Sequence, residues 1–218
     1  MNDTDERALR ILDQLRLLKL EDHFVYNDDR HGSAYFAKEI AFTLTESISR
    51  ICYLIAERFA KGERIQAVVG PALGGIIMSQ WTAHHLSSFV RSGEGVLALF
   101  AEQDGDGFVF KRDYGRLVHS KIVLVVEDVL TTGSNASKVV KLVRANGGHV
   151  VGVGAICNRG GVTSTAIANV LRLESLVNIA LESWNESECP LCRRDVPVNT
   201  EFGKGAEFME KKKKRVPV

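Results

Sequence analysis

No run of apolar residues in this chain approaches the ~20 that a membrane-spanning helix requires, which removes that class of protein. Cysteine is scarce, four in 218 residues, and two of them (Cys52 and Cys157) stand isolated, so a disulfide framework is excluded. The acidic, polar opening MNDTDERALR has none of the features of a signal peptide. Net charge is nearly absent too, but the value of +1 hides an asymmetry: residues 204–218 carry six bases and two acids, which leaves the remainder near −3. No Gly-Lys-Ser/Thr follows the glycine-rich segment at residues 70–75, so it is not a Walker A loop. Gly152-Val153-Gly154 lies inside a strand-like run rather than after it, which rejects a dinucleotide fingerprint. What remains is a composition of 45% hydrophobic and 25% charged residues, ordinary for a soluble globular chain, and a length that suits one large domain or one domain with appendages. A cytoplasmic protein is expected.

The rest of the chain is organised around residues 121–135, KIVLVVEDVLTTGSN. Ile122-Val123-Leu124-Val125-Val126 is mostly β-branched and too short for an ordinary helix, so it reads as a buried parallel strand. Glu127 and Asp128 follow, then Thr131-Thr132-Gly133-Ser134-Asn135. Ala136, Val139, Val140 and Val143 then recur at helical spacing, with Ser134 or Asn135 as N-cap and Gly147-Gly148 as the stop. Free N–H groups at a helix start, with threonine and serine hydroxyls, suit a phosphate. Two adjacent carboxylates suit sugar hydroxyls or a bound Mg²⁺. A phosphate attached to a ribose satisfies both, against the plainer reading of a solvated acidic loop before a capped helix.

Elsewhere the pattern alternates. A helix is expected over residues 5–20, a short strand over 23–26, a polar turn over 27–33 and an extended segment from Ala34. A long helix over residues 38–61 carries Ile40, Leu44, Ile48, Ile51 and Ile55 down one face. Residues 65–69 form a strand running into Gly70-Pro71-Ala72-Leu73-Gly74-Gly75 and a helix over 76–86, with glycines where a backbone must approach an anion. Residues 96–100 are a strand, 104–107 a flexible polar loop, and 108–112 the returning arm of a hairpin that ends in Lys111-Arg112. A strand over 150–157 leads to Asn158-Arg159-Gly160-Gly161, and 170–176 is a further strand or short helix. Such alternation indicates an open, mostly parallel α/β sheet, which binds ligands beyond the C-terminal strand ends. Gly70, Glu102, Glu127, Asp128 and Arg159 all sit at such ends.

The string at residues 127–135 resembles the phosphoribosyl-pyrophosphate (PRPP) signature of type I phosphoribosyltransferases. The order of an N-terminal helix and then HFVY…RHGSAYF resembles the hood of the orotate phosphoribosyltransferases, and GPALGGI resembles their pyrophosphate loop. Cys189-Pro190-Leu191-Cys192 is similar to a C-terminal segment of some bacterial members. The resemblance spans roughly residues 8–200. It implies a type I phosphoribosyltransferase-like open sheet flanked by helices, with a small N-terminal hood. The implied divisions are 1–37 for the helix and hood, 38–200 for the core with the CPLC segment, and 201–218 for a basic, disordered tail. The implied reaction joins orotate to PRPP, with Mg²⁺, giving orotidine 5′-phosphate and pyrophosphate in pyrimidine biosynthesis. A transferase for another base, and a PRPP-binding regulator without turnover, stay open as alternatives.

By the same resemblance, Glu127 and Asp128 meet the ribose hydroxyls and Mg²⁺, directly or indirectly. Val129, Leu130, Thr131, Thr132, Gly133, Ser134 and Asn135 surround the 5′-phosphate, and Ala72, Leu73 and Gly74 face the pyrophosphate. Thr131 and Arg159 touch the base, Arg159 pairing with its carboxylate. Many relatives carry Arg or Lys where this chain has Glu102-Gln103, and some carry lysine at Gly74. Lys111 and Arg112 are the nearest replacements, which makes them catalytic candidates on a mobile loop that the family shares across a homodimer. Cys189 and Cys192 are half of a zinc site, but a tetrahedral zinc needs two more ligands and no cysteine or histidine follows. A turn with small, semi-buried residues is therefore preferred there to metal. The basic run at residues 211–215 reads as solvated, not as a nucleic-acid contact.

Overall fold

The computed structural model describes residues 3–26, 28–89, 95–179 and 182–215. Asn27 of the expected turn, Met1 and Asn2 at the start and Val216, Pro217 and Val218 at the end lie outside the described residues. The chain divides into two compact units, one of residues 1–11 and 42–180, the other of 12–41 and 181–218. No helix among the described residues is long and apolar enough to cross a membrane.

In chain order the elements begin with α1 (Asp3–Gln14), β1 (Leu18–Lys19), β2 (Phe24–Val25), β3 (His31–Gly32), β4 (Tyr35–Phe36), α2 (Lys38–Thr43) and α3 (Thr45–Phe59). They continue with β5 (Ala67–Pro71), α4 (Gly74–Phe89), β6 (Leu97–Asp104), β7 (Gly107–Val109), α5 (Tyr114–Val118), β8 (Ile122–Leu130) and α6 (Ser134–Ala145). Last come β9 (His149–Asn158), β10 (Leu173–Asn178), a 3-10 turn at Glu186–Glu188, α7 (Pro190–Arg193) and α8 (Gly205–Arg215).

The first unit is built on a six-stranded sheet in the order β10-β9-β8-β5-β6-β7. Every pairing is parallel except the β6–β7 hairpin, as the alternating pattern requires. β5 is buried along its whole length, and β8 is buried from Val123 to Asp128. One face packs Val69, Val123, Val125 and Val153 against Ala136, Val139, Val140 and Val143 of α6. On β9, a Cβ at Gly152 would lie 2.7 Å from Phe59 and one at Gly154 2.6 Å from Ile55, so these glycines let α3 pack close. That is their role inside the strand.

Three local differences from the sequence reading have physical reasons. The expected helix over 38–61 breaks at Leu44, whose backbone is extended (φ −105°, ψ 99°), between two threonines that are poor helix formers. The central strand does not stop at Val126: it runs to Leu130 because β9 pairs with it as far as Leu130↔Asn158. The polar loop at 104–107 is a tight hairpin turn, Asp104 pairing with Gly107 and Gly105 at φ +55°.

The second unit is made of short pieces. β1 pairs with β4 and β2 with β3, both antiparallel. Its later segment is knitted to these pieces through backbone: His31 and Trp184 exchange N–H···O bonds of 2.8 Å each, and Asn199 N–H donates to His23 O at 2.7 Å. Lys204 N–H donates to Val25 O at 2.8 Å. Residues 205–215, expected to be disordered, form α8, whose Phe208 ring stands edge-on to His31 at 4.9 Å. The CPLC segment thus groups with the hood residues and not with the sheet.

Candidate active site

β5 connects onward to β6 on one side of it, while β8, its neighbour on the other side, connects onward to β9. Strand order therefore reverses between β5 and β8, and the crevice beyond their C-terminal ends is where such sheets take ligands. The two loops that leave these strands are Ala72-Leu73 and Thr131-Thr132-Gly133. They are the two glycine- and hydroxyl-rich segments singled out in the sequence.

Glu127 and Asp128 lie within β8 and are 7% and 6% exposed, so they are not the start of a solvated loop. Pairing of β8 with β9 carries them below the surface. The Asp128 carboxylate accepts a hydrogen bond from Val129 N–H at 2.6 Å, and Glu127 accepts one from Asp128 N–H at 3.2 Å. Across the crevice, a Cβ at Gly74 would lie 2.6 Å from Asp128 Oδ2 and 3.2 Å from the Phe42 ring. Any side chain at Gly74 would displace the carboxylate, a steric counterpart to the absence of lysine there. The Ala72–Leu73 peptide is cis, Ala72 N–H donates to Ala101 O at 2.8 Å, and Leu73 is 82% exposed.

Gly133 takes a left-handed conformation (φ +75°) and sits as N-cap of α6, where Ser134 or Asn135 was expected. Thr132, Ser134 and Asn135 are exposed around it, and Ser134 N–H reaches Thr132 Oγ1 at 3.3 Å. Ser137 N–H donates back to Gly133 O at 2.8 Å. The first amides of the helix and three polar side chains therefore surround one spot, the arrangement an anion uses.

Thr131 and Arg159 are brought together. Arg159 N–H and Gly160 N–H both donate to Leu130 O, at 3.0 and 3.2 Å, and a Cβ at Gly160 would fall 1.6 Å from Thr131 O. A residue that sequence reasoning passed over shapes this turn. Buried Asn158 accepts from Val162 N–H at 2.9 Å and donates to Val162 O at 2.8 Å. The available signal was an amide at the end of an apolar strand, just before Arg159.

Lys111 and Arg112 are exposed, and both are ion-paired to Glu102 on the facing strand, Lys111 at 3.1 Å. Arg112 also lies over the Phe100 ring, 5.5 Å from its centre. Hydrogen bonds from Arg112, then Lys111, hold the Glu102 carboxyl below its ordinary pKa. Glu102 thus anchors both candidate catalytic cations. Cys189 and Cys192 lie in the second unit, and the ligands they lacked come from upstream: His23 and His31 stand beside them. Sequence order hid this grouping, since more than 150 residues separate the pairs.

No protein-family model matches the chain. Over 193 residues, 88% of its length, it is 34% identical to an orotate phosphoribosyltransferase of Caldanaerobacter subterraneus subsp. tengcongensis, 94% of which is covered. The orotate phosphoribosyltransferase of Desulforamulus reducens is 34% identical over 179 residues, 82% of this chain and 86% of that one. Among solved structures, Mycobacterium tuberculosis H37Rv orotate phosphoribosyltransferase in complex with inorganic phosphate is similar at a TM-score of 0.59 and 25% identity, with 82% of this chain and 96% of that one covered.

Proposed function

The chain belongs to the orotate phosphoribosyltransferase family, and from that premise we propose that it transfers the 5-phosphoribosyl group of PRPP to orotate in the cytoplasm, giving orotidine 5′-phosphate and pyrophosphate. One observation carries the reading. The acid pair near the end of β8 and the hydroxyl-rich helix start that follows it stand at the point where strand order reverses, across from the glycine loop of β5.

In this reaction the bond from ribose C1 to a pyrophosphate oxygen breaks, the oxygen keeping the electron pair. A ring nitrogen of orotate bonds to C1 and releases its proton. The sugar becomes cationic and the leaving group strongly anionic, so catalysis is chiefly positioning and charge stabilisation. Thr131, Thr132, Gly133, Ser134 and Asn135, following Val129 and Leu130, hold the 5′-phosphate at the start of α6. Ala72, Leu73 and Gly74 face the pyrophosphate. Glu127 and Asp128 hold the ribose hydroxyls, and Arg159, beside Thr131, grips the orotate carboxylate through two hydrogen bonds.

Two adjacent carboxylates form an all-oxygen donor set of the kind Mg²⁺ takes, so these residues fit that ion, held directly or through the ribose hydroxyls. Bound there, Mg²⁺ supplies positive charge to the pyrophosphate group. Lys111 and Arg112 add to that charge once the hairpin releases them from Glu102, and in a homodimer they serve the partner's site. The test is incubation of the full chain with PRPP, Mg²⁺ and orotate, following orotate loss and pyrophosphate release. PRPP binding without orotate consumption would instead make the chain a regulator. Consumption of a different base in a panel would reassign the substrate.

A further inference from the structure

Four side chains with metal-binding atoms converge in the second unit, whereas every residue given a role above belongs to the first. His23, His31 and Cys189 are buried at 1%, 0% and 0% exposure, Cys192 is half-buried, and their ligand atoms all lie within 4.8 Å of one another. His23 Nε2 is 3.7 Å from each of the Cys189 and Cys192 sulfurs, and His31 Nδ1 is 3.4 Å from Cys192 Sγ. With Zn–S near 2.3 Å and Zn–N near 2.0–2.1 Å, a tetrahedron has S···N edges of about 3.6 Å and an N···N edge of about 3.3 Å. The three S···N distances match. The His23 Nε2–His31 Nδ1 separation of 2.8 Å requires an opening of about half an ångström to meet that N···N edge.

The surroundings set the tautomer of His23. His23 Nδ1 lies 2.8 Å from Val196 O, a carbonyl that can only accept, so the ring proton sits there and the Nε2 lone pair faces the cluster. Both thiols are free of disulfide bonds. Cys189 is the N-cap of α7 and Cys192 lies in its single turn, the usual two-residue spacing of a zinc half-site, and β2 and β3 place His23 and His31 on the two sides of one turn. We propose that His23, His31, Cys189 and Cys192 form a closed structural zinc site that ties residues 12–41 to residues 181–218. The S₂N₂ donor set selects zinc over magnesium or calcium. Four protein ligands leave no open position, so the metal is structural and takes no part in the transfer chemistry. The unit needs such a tie, because its strands are two residues long and small units seldom hold together on apolar burial alone.

The test uses the full chain, purified without chelator. Elemental analysis should find one zinc per chain, falling to background in Cys192→Ser and His31→Asn but retained in His31→Cys, which keeps four ligands. Cobalt in place of zinc should give the strong visible bands of a tetrahedral ion and a near-ultraviolet thiolate charge-transfer band. Stripping the metal should expose residues 12–41 and 181–218 to protease, and zinc should restore protection. Should a variant fail to fold, the unaltered protein decides alone. A native chain that contains no zinc and binds none, a weakly coloured six-coordinate cobalt spectrum, or a Cys189–Cys192 disulfide detected by mass would each overturn the site.

Discussion

Gly160→Ala should separate Arg159 from Thr131 more cleanly than any change to those residues themselves. The added carbon would fall 1.6 Å from Thr131 O, 2.7 Å from its carbonyl carbon and 3.2 Å from its Cα, all of them backbone atoms with no rotamer to turn aside. Relief requires a shift of about 1.5 Å, after which neither Arg159 N–H nor Gly160 N–H can reach Leu130 O. Two lost hydrogen bonds at about 1 kcal/mol each, with overpacking of about 1–3 kcal/mol, give a cost of about 3–5 kcal/mol. For a chain of this length that lowers the melting midpoint by about 6–20 °C. If the turn instead swings outward and spares stability, the guanidinium is misplaced, and kcat/KM for orotate falls about 100-fold. Gly161→Ala is the control: its φ is +61° with nothing within 4 Å, so it carries only the conformational cost of about 1–2 kcal/mol. Differential scanning calorimetry and orotate kinetics on both variants decide the matter. A Gly160→Ala protein with the original midpoint and the original kcat/KM would refute the close approach of the two strand-end turns.

Three further outcomes are expected. Asp128→Asn should lower turnover by about 10²–10³-fold, the scale of losing one preorganised electrostatic group, while circular dichroism stays unchanged; near-normal turnover would remove the acid pair from the mechanism. Arg159→Ala should weaken orotate binding far more than PRPP binding by titration calorimetry, and equal losses would make Arg159 a structural residue. Lys111→Ala with Arg112→Ala should be inactive alone yet regain activity when mixed with Asp128→Asn chains, because one site of a mixed dimer would combine an intact hairpin with an intact acid pair. Inactive mixtures with proven subunit exchange would sink the shared site.

Much of the sheet was legible because its signals are local. Residues 122–126 are apolar enough to announce a buried strand, and the extended run after residue 107 announces the returning arm of a hairpin, although its turn is tighter than the loop expected there. Reading failed where the deciding partner is distant. Glu127 and Asp128 interrupt the apolar run, so only the register with β9 shows that the strand continues to Leu130. The break at Leu44 has no glycine or proline to mark it, and the five residues of α5 are too few to show a helical period. Gly74 and Gly160 act through atoms on other strands or turns, and a sequence displays none of those distances.

The second unit's split between residues 12–41 and 181–218 sets an order of assembly on the ribosome. The 166 residues added after His23, up to and including Cys189, take roughly 8–33 s to synthesise at about 5–20 residues per second. During that interval β2 and β3 are a two-residue hairpin, too short to persist alone, while β5, β6, β8 and β9 emerge in turn and can pair as they appear. The hood is therefore the last part to close. A nascent chain stalled before Cys189 would hold a formed sheet and a loose, apolar N-terminal segment carrying Leu17, Phe24, Val25 and Tyr26, the kind of surface that chaperones and proteases read as unfinished.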